Sequence, residues 1–126
     1  EPLFLECTLD ETTGEPLTAL AHRSARRVFS AQTAQALREL LASVVTEGTG
    51  HEAAPTEGTA AGKTGTAQTG QFAAGKELKN YWFAGFYPAR NPRYTIVVLQ
   101  DGQTGPSRTS AAIFARVCDA LDAAGE

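Results

Sequence analysis

Tyr81-Trp82-Phe83-Ala84-Gly85-Phe86-Tyr87 and Tyr94-Thr95-Ile96-Val97-Val98-Leu99-Gln100 are the two runs that decide the fold. Aromatic and β-branched side chains suit a pleated, half-buried surface, and both runs are as short as buried strands are. Pro88, Asn91 and Pro92 break the chain between them. The pattern predicts an antiparallel pair joined by a turn.

Outward from this pair the period changes. After Asp101-Gly102 and Gly105-Pro106 the chain carries Ile113, Phe114, Val117, Cys118 and Leu121 at helical spacing, with Arg116, Asp119 and Asp122 opposite. That is an amphipathic helix whose apolar stripe needs a sheet to cover. Before the pair, a polar stretch from Gln68 to Asn80 is predicted as loop, a strand around Gly62 to Ala67, and a further loop from Gly48 to Ala60, which carries Pro55. Ala34, Leu37, Leu40, Leu41, Val44 and Val45 recur at three- and four-residue steps, so a second helix starts near Ala31, capped by Ser30 and ended by Gly48. Leu3 to Leu9 reads as a first strand that stops at the turn-like Asp10-Glu11-Thr12-Thr13-Gly14. The fold class is α+β: an antiparallel sheet packed by an amphipathic C-terminal helix and one further helix.

The chain has 126 residues, of which 42% are hydrophobic and 20% charged, which predicts one compact unit over residues 1–126. Such a chain buries roughly two-thirds of its unfolded surface, so its two cysteines are not needed as staples. Eleven Lys and Arg against fourteen Asp and Glu leave a net charge of -3, which argues against a nucleic-acid partner bound by phosphate neutralisation. Both apolar runs fall short of the ~20 residues a bilayer requires, so no membrane contact is expected of this segment itself. There is no methionine and the sequence opens on Glu1-Pro2, so it is expected to be a piece of a longer protein.

Chemistry concentrates in Ala61-Gly62-Lys63-Thr64-Gly65-Thr66-Ala67. On an extended strand Thr64 and Thr66 share a face, so two hydroxyls converge as donors for a carboxylate. Lys63 adds a cation, and Gly65, lacking Cβ, lets a ligand approach the backbone. A phosphate-binding P-loop does not fit. The spacing puts Glu57 where its first glycine belongs, no apolar strand precedes Gly58, and Gly65 and Gly70 stand where a helix should begin.

The flanks match another pattern. Gly62-Lys63-Thr64-Gly65-Thr66-Ala67-Gln68 followed by Asn80-Tyr81-Trp82-Phe83-Ala84-Gly85-Phe86-Tyr87-Pro88 strongly resembles the end of a class B penicillin-binding protein transpeptidase domain. The helix leading into Val44-Val45-Thr46-Glu47-Gly48-Thr49-Gly50 and the closing helix fit the same family. The resemblance implies a partial penicillin-binding transpeptidase fold and a peptidoglycan D,D-transpeptidase parent that crosslinks stem peptides ending in D-Ala-D-Ala through a serine acyl-enzyme and binds β-lactams. Lys63 would then be the catalytic cation, while Thr64, Gly65 and Thr66 bind the substrate. The parent would sit on the extracytoplasmic face of the bacterial cytoplasmic membrane.

One departure matters. The family also needs Ser-x-x-Lys and Ser-x-Asn, and neither occurs: the residues three before Lys63, Lys76 and Lys79 are Ala60, Ala73 and Lys76, and those two before Asn80 and Asn91 are Leu78 and Ala89. The isolated chain is therefore expected to be inactive, with the N-terminal part of the same domain as its missing partner. Two other readings of the resemblance stay open: a β-lactam sensor or class D-like β-lactamase fragment, and a non-catalytic binding module with the same sheet.

Other features read blandly. Arg23, Arg26 and Arg27 are solvated surface. His22, His51, Cys7 and Cys118 lack metal-ligand spacing, so neither a metal nor any other cofactor is expected. Trp82, Phe86, Tyr87 and Cys118 are predicted core residues. A Cys7–Cys118 disulfide is allowed by an extracytoplasmic parent and supported by nothing else.

Overall fold

The computed structural model describes residues 7–19 and 26–125. Its contacts divide the chain into two compact units, Glu1–Ser30 and Ala31–Glu126. The first unit is a hairpin of β1 (Cys7–Leu9) and β2 (Pro16–Ala19). Its turn falls where the Asp10–Gly14 segment predicts it. Asp10 Oδ1 accepts hydrogen bonds from the Thr12 and Thr13 amides at 2.9 and 2.8 Å, which hold the Asp10 carboxyl below its ordinary pKa. The rest of the expected first strand, residues 3–6, lies outside the described residues.

The second unit begins with α1 (Ala31–Thr46) and a single 3-10 turn (His51–Ala53), then β3 (Ala61–Ala73), β4 (Lys76–Tyr87), β5 (Tyr94–Gln103) and α2 (Ser110–Ala123). The three strands form one antiparallel sheet in the order β3-β4-β5, so β3 is an edge strand. One face of the sheet is covered. Phe83 and Phe114 are fully buried with their ring centroids 4.7 Å apart, and Val45, Ala53, Ala60, Tyr87, Ala111 and Cys118 close around them. Burying one such aromatic side chain stabilises the fold by about 2–3 kcal/mol.

Close approach of backbone to core fixes one glycine. A Cβ on Gly62 would lie 2.6 Å from Phe83 Cε1 and 2.7 Å from the Ala84 carbonyl oxygen. No side chain fits there, so the start of β3 can press onto β4 only because residue 62 has none.

Two carboxylates of α2 anchor their neighbours, one the segment that leads into β3 and the other the end of β4. Asp119 accepts from Thr56, through its amide at 2.7 Å and its hydroxyl at 3.2 Å, while the buried Tyr87 hydroxyl donates to Asp122 Oδ2 at 2.5 Å. The hydrogen bond to Asp122, followed by burial, pushes the Tyr87 pKa up to about 12. The expected loop at 48–60 thus contains one 3-10 turn and is fastened to α2 at Thr56.

Several expectations need correction. Residues 68–80 are not a loop: β3 and β4 continue as a two-stranded ribbon, pairing Gln68 with Lys79, Phe72 with Glu77 and Ala73 with Lys76. Ladder hydrogen bonds between adjacent strands require no apolar residues, so a polar ribbon escapes a reading based on hydrophobic period. Its turn has Ala74 and Gly75 at φ 49° and 77°. On α2 the buried side is Ser110, Ala111, Phe114, Ala115 and Cys118, while Val117 is exposed and Ile113 and Leu121 are half-buried. Small residues face the sheet because the helix lies close to it. On α1 Val45 is buried, but Leu37 and Leu40 stay exposed. Both cysteines are free, and burial first of all pushes the Cys118 thiol up to about 11.

Candidate functional site

Register along β3 places the four singled-out residues. Lys63 lies opposite Ala84, Thr64 opposite Phe83, Gly65 opposite Trp82 and Thr66 opposite Tyr81. Paired residues of an antiparallel ladder share a face, so Thr64 and Thr66 stand on the helix-covered side and Lys63 and Gly65 on the other. The two threonines share that face. Lys63 starts from the opposite face and returns across the strand: its Nζ donates to the Thr64 carbonyl at 3.0 Å and to Thr64 Oγ1 at 3.1 Å. Lys63 and Thr66 are exposed, while Thr64 and Gly65 are half-buried, so all four border solvent.

Thr64, Gly65 and Thr66 line a groove of about 240 Å³ that also touches Thr49, Tyr81 and Trp82 and the start of α2. Thr49 Oγ1 lies 3.5 Å from Thr64 Oγ1, so three hydroxyls and one ammonium meet at this edge. The far wall is rigid. Ser110, 4% exposed, donates to the Tyr81 carbonyl at 2.9 Å and accepts from Gln100 Nε2 at 2.9 Å. Thr109 Oγ1 accepts from the Ala112 amide at 3.1 Å, capping α2, and donates to Glu52 Oε2 at 2.6 Å. A helix N-terminus and clustered hydroxyls are an environment for an anionic oxygen. A larger cleft of about 360 Å³, between Arg38 on α1 and Arg90 beyond β4, does not touch residues 63–66.

Trp82 is not core. It is 38% exposed, beside Val97 at 57% and Leu99 at 43%, on the face of the sheet that the helices leave uncovered, and it lines the groove. Strand alternation decides this: Phe83 takes the interior, so Trp82 cannot. Tyr87 is buried and Phe86 half-buried by the same alternation.

Sequence reading missed Thr49, Glu52, Tyr81 and Thr109 as members of the groove. Only Thr49 left a signal, through Gly50 beside it: a Cβ there would lie 3.0 Å from Val44 Cγ1 and 3.3 Å from Phe83 Cε2, so the turn presses directly on the core. Among the described residues no group of three His, Cys, Asp or Glu side chains is placed to hold a metal ion.

The family described as "Penicillin binding protein transpeptidase domain" matches residues 2–119. Penicillin-binding protein PbpB of Mycolicibacterium smegmatis is 37% identical over 110 residues, which are 75% of this chain and 17% of that protein. The probable peptidoglycan D,D-transpeptidase PenA of Neisseria meningitidis is 37% identical over 83 residues, 63% of this chain and 14% of that protein. The solved transpeptidase domain of Burkholderia pseudomallei penicillin-binding protein 3 superposes with a TM-score of 0.65 at 32% identity, covering 91% of this chain and 35% of that one. The chain thus spans less than a fifth of these curated relatives and about a third of the solved domain. On residues 2–119, the chain belongs to the penicillin-binding protein transpeptidase family, with the α+β fold of its solved members.

Proposed function

We propose that the groove along Lys63, Thr64, Gly65 and Thr66 is one wall of the active site of a peptidoglycan D,D-transpeptidase. The observation that carries this reading is the meeting of the Lys63 ammonium with the Thr64 hydroxyl on an open edge strand, facing the capped end of α2. The relative named as a probable D,D-transpeptidase supports the choice of reaction. In that reaction a serine supplied by another part of the domain attacks the D-Ala-D-Ala carbonyl, the bond to the terminal D-Ala breaks, and the resulting ester passes to an amine of a neighbouring stem. A β-lactam enters the same way, but its opened ring stays attached and the ester stalls.

Each residue of the wall has a task. Lys63 holds positive potential in the cleft, draws the terminal carboxylate and supports proton transfer through its hydrogen bonds. The hydroxyls of Thr64 and Thr66 bind that carboxylate. The backbone N–H of Thr66 faces the developing oxyanion, and removing one such donor typically costs about 3 kcal/mol of transition-state stabilisation. Gly65 keeps the approach open. The parent acts on the extracytoplasmic face of the cytoplasmic membrane, anchored by parts other than this one. No helix among the described residues is long and apolar enough to cross a membrane.

Mass spectrometry with labelled penicillin tests the reading on two samples. The intact transpeptidase domain should gain one penicillin per molecule, while residues 1–126 alone should gain none. No adduct on the intact domain would overturn the assignment. A stoichiometric adduct on the shorter chain would overturn the claim that the nucleophile lies elsewhere.

A further inference from the structure

Two glycines fix where Thr49 stands. A Cβ on Gly48 would lie 2.9 Å from the Val44 Cα and carbonyl oxygen, and one on Gly50 would lie 3.0 Å from Val44 Cγ1 and 3.3 Å from Phe83 Cε2. The Gly50 amide donates to the Val44 carbonyl at 3.0 Å, and Val45, Gly50 and Ala53 are buried. The turn after α1 is thus pressed onto the core by residues that lack side chains, and the exposed Thr49 between them lines the groove.

Its hydroxyl has a hydrogen to spare. An ammonium only donates, so the 3.1 Å bond from Lys63 Nζ occupies a lone pair of Thr64 Oγ1 and leaves the Thr64 hydrogen unused. Thr49 Oγ1 lies 3.5 Å from Thr64 Oγ1, beyond the ~2.5–3.0 Å of a good hydroxyl–hydroxyl bond, so neither threonine satisfies the other. Among the described residues Thr49 Oγ1 has no other hydrogen-bond partner. Two hydroxyls at that separation can both donate to one oxygen placed between them, ~2.8 Å from each. Two charges border the spot. The Lys63 ammonium, one hydrogen bond from Thr64, favours an anionic oxygen there and offsets Glu52, whose Oε2 is held on the far wall by Thr109 Oγ1 at 2.6 Å. Resting on the groove being a transpeptidase wall, we infer that Thr49 is a further substrate-binding residue, whose hydroxyl joins that of Thr64 on one oxygen of the terminal carboxylate. The carboxylate is then held from the turn after α1 as well as from β3.

Benzylpenicillin and its methyl ester test this on the intact transpeptidase domain, with the second-order acylation rate read for each. The ester keeps the ring system and loses the charge, and hydrogen bonds to a charged oxygen are roughly twice as strong as neutral ones. Thr49→Val keeps the branched shape and removes the hydroxyl. It should slow acylation by penicillin roughly tenfold, the lower end for a hydrogen bond to a charged group, while the ester slows by about threefold or less. Thr49→Ala removes the hydroxyl by a different route and should show the same shift even if Thr49→Val fails to fold. Thr49→Ser keeps the donor and should stay within about twofold of wild type with both compounds. An unchanged penicillin rate without the hydroxyl, equal slowing of penicillin and ester, or a Thr49→Ser variant as slow as Thr49→Ala overturns the role of Thr49 while leaving the wall intact. If penicillin does not acylate the wild-type domain, the reading of the groove itself fails.

Discussion

Gly62 and Gly65 lie three residues apart on one edge strand, and an added Cβ would meet opposite surroundings at the two. At Gly62 the molecule itself leaves no space, because an added Cβ would meet Phe83 and the Ala84 carbonyl at 2.6 and 2.7 Å. At Gly65 the nearest atom to such a Cβ is Trp82 Cβ at 3.4 Å, an ordinary contact. Nothing among the described residues forbids alanine at 65. Within a few residues β3 therefore passes from a region set by its own core to one where the core sets no limit, and the proposed site begins there.

The largest expected effect lies on the core side. Phe83→Ala should destabilise the fold by about 3–5 kcal/mol, read from denaturant unfolding, because its ring packs on Phe114 in a fully buried contact. Gly62→Ala follows, at about 1–3 kcal/mol, since the aromatic ring and a strand carbonyl must both give way. Thr109→Ala should cost about 1 kcal/mol through loss of the α2 cap. Gly65→Ala should change unfolding by less than about 0.5 kcal/mol. On the intact transpeptidase domain the last substitution should nonetheless slow penicillin acylation more than Gly62→Ala does in whatever fraction of that variant folds. Equal stability losses at 62 and 65 would erase the contrast.

Much of this division was legible in the sequence. The aromatic strand, its partner from Tyr94, both helices and the Lys63–Thr66 segment follow from period and residue type alone, since each buries or exposes one face in regular alternation. The ribbon from Gln68 to Asn80 was not legible, because its order comes from backbone pairing and leaves no hydrophobic period. Nor was the side on which α2 packs. Ala111 and Ala115 are buried on the side of α2 whose Phe114 packs on Phe83, about thirty residues away, and no local pattern announces that partner. Of the groove lining, the strand residues Thr64 to Thr66 stand in a segment the sequence singles out, but the opposite wall does not. Glu52 and Thr109 meet across 57 residues, and no local pattern joins them.

A pH titration sharpens the same contrast from the core side. The folded state raises the Tyr87 pKa to about 12 from an ordinary 10.0, so the neutral phenol hydrogen-bonded to Asp122 contributes stability fully below the unfolded value. That contribution is lost as pH rises through the folded one. Unfolding free energy should fall between roughly pH 10 and pH 12. Tyr87→Phe should flatten the slope, and an unchanged slope in that variant would remove Tyr87 as its source.

The most direct test of the account is Lys63→Ala in the intact transpeptidase domain, with penicillin acylation and thermal unfolding measured on the same preparation. Lys63 is exposed and, among the described residues, hydrogen-bonds to its neighbour Thr64, so acylation should fall about a hundredfold or more while the melting temperature stays put. Undiminished acylation, or a loss of activity matched by a collapse in melting temperature, would contradict it.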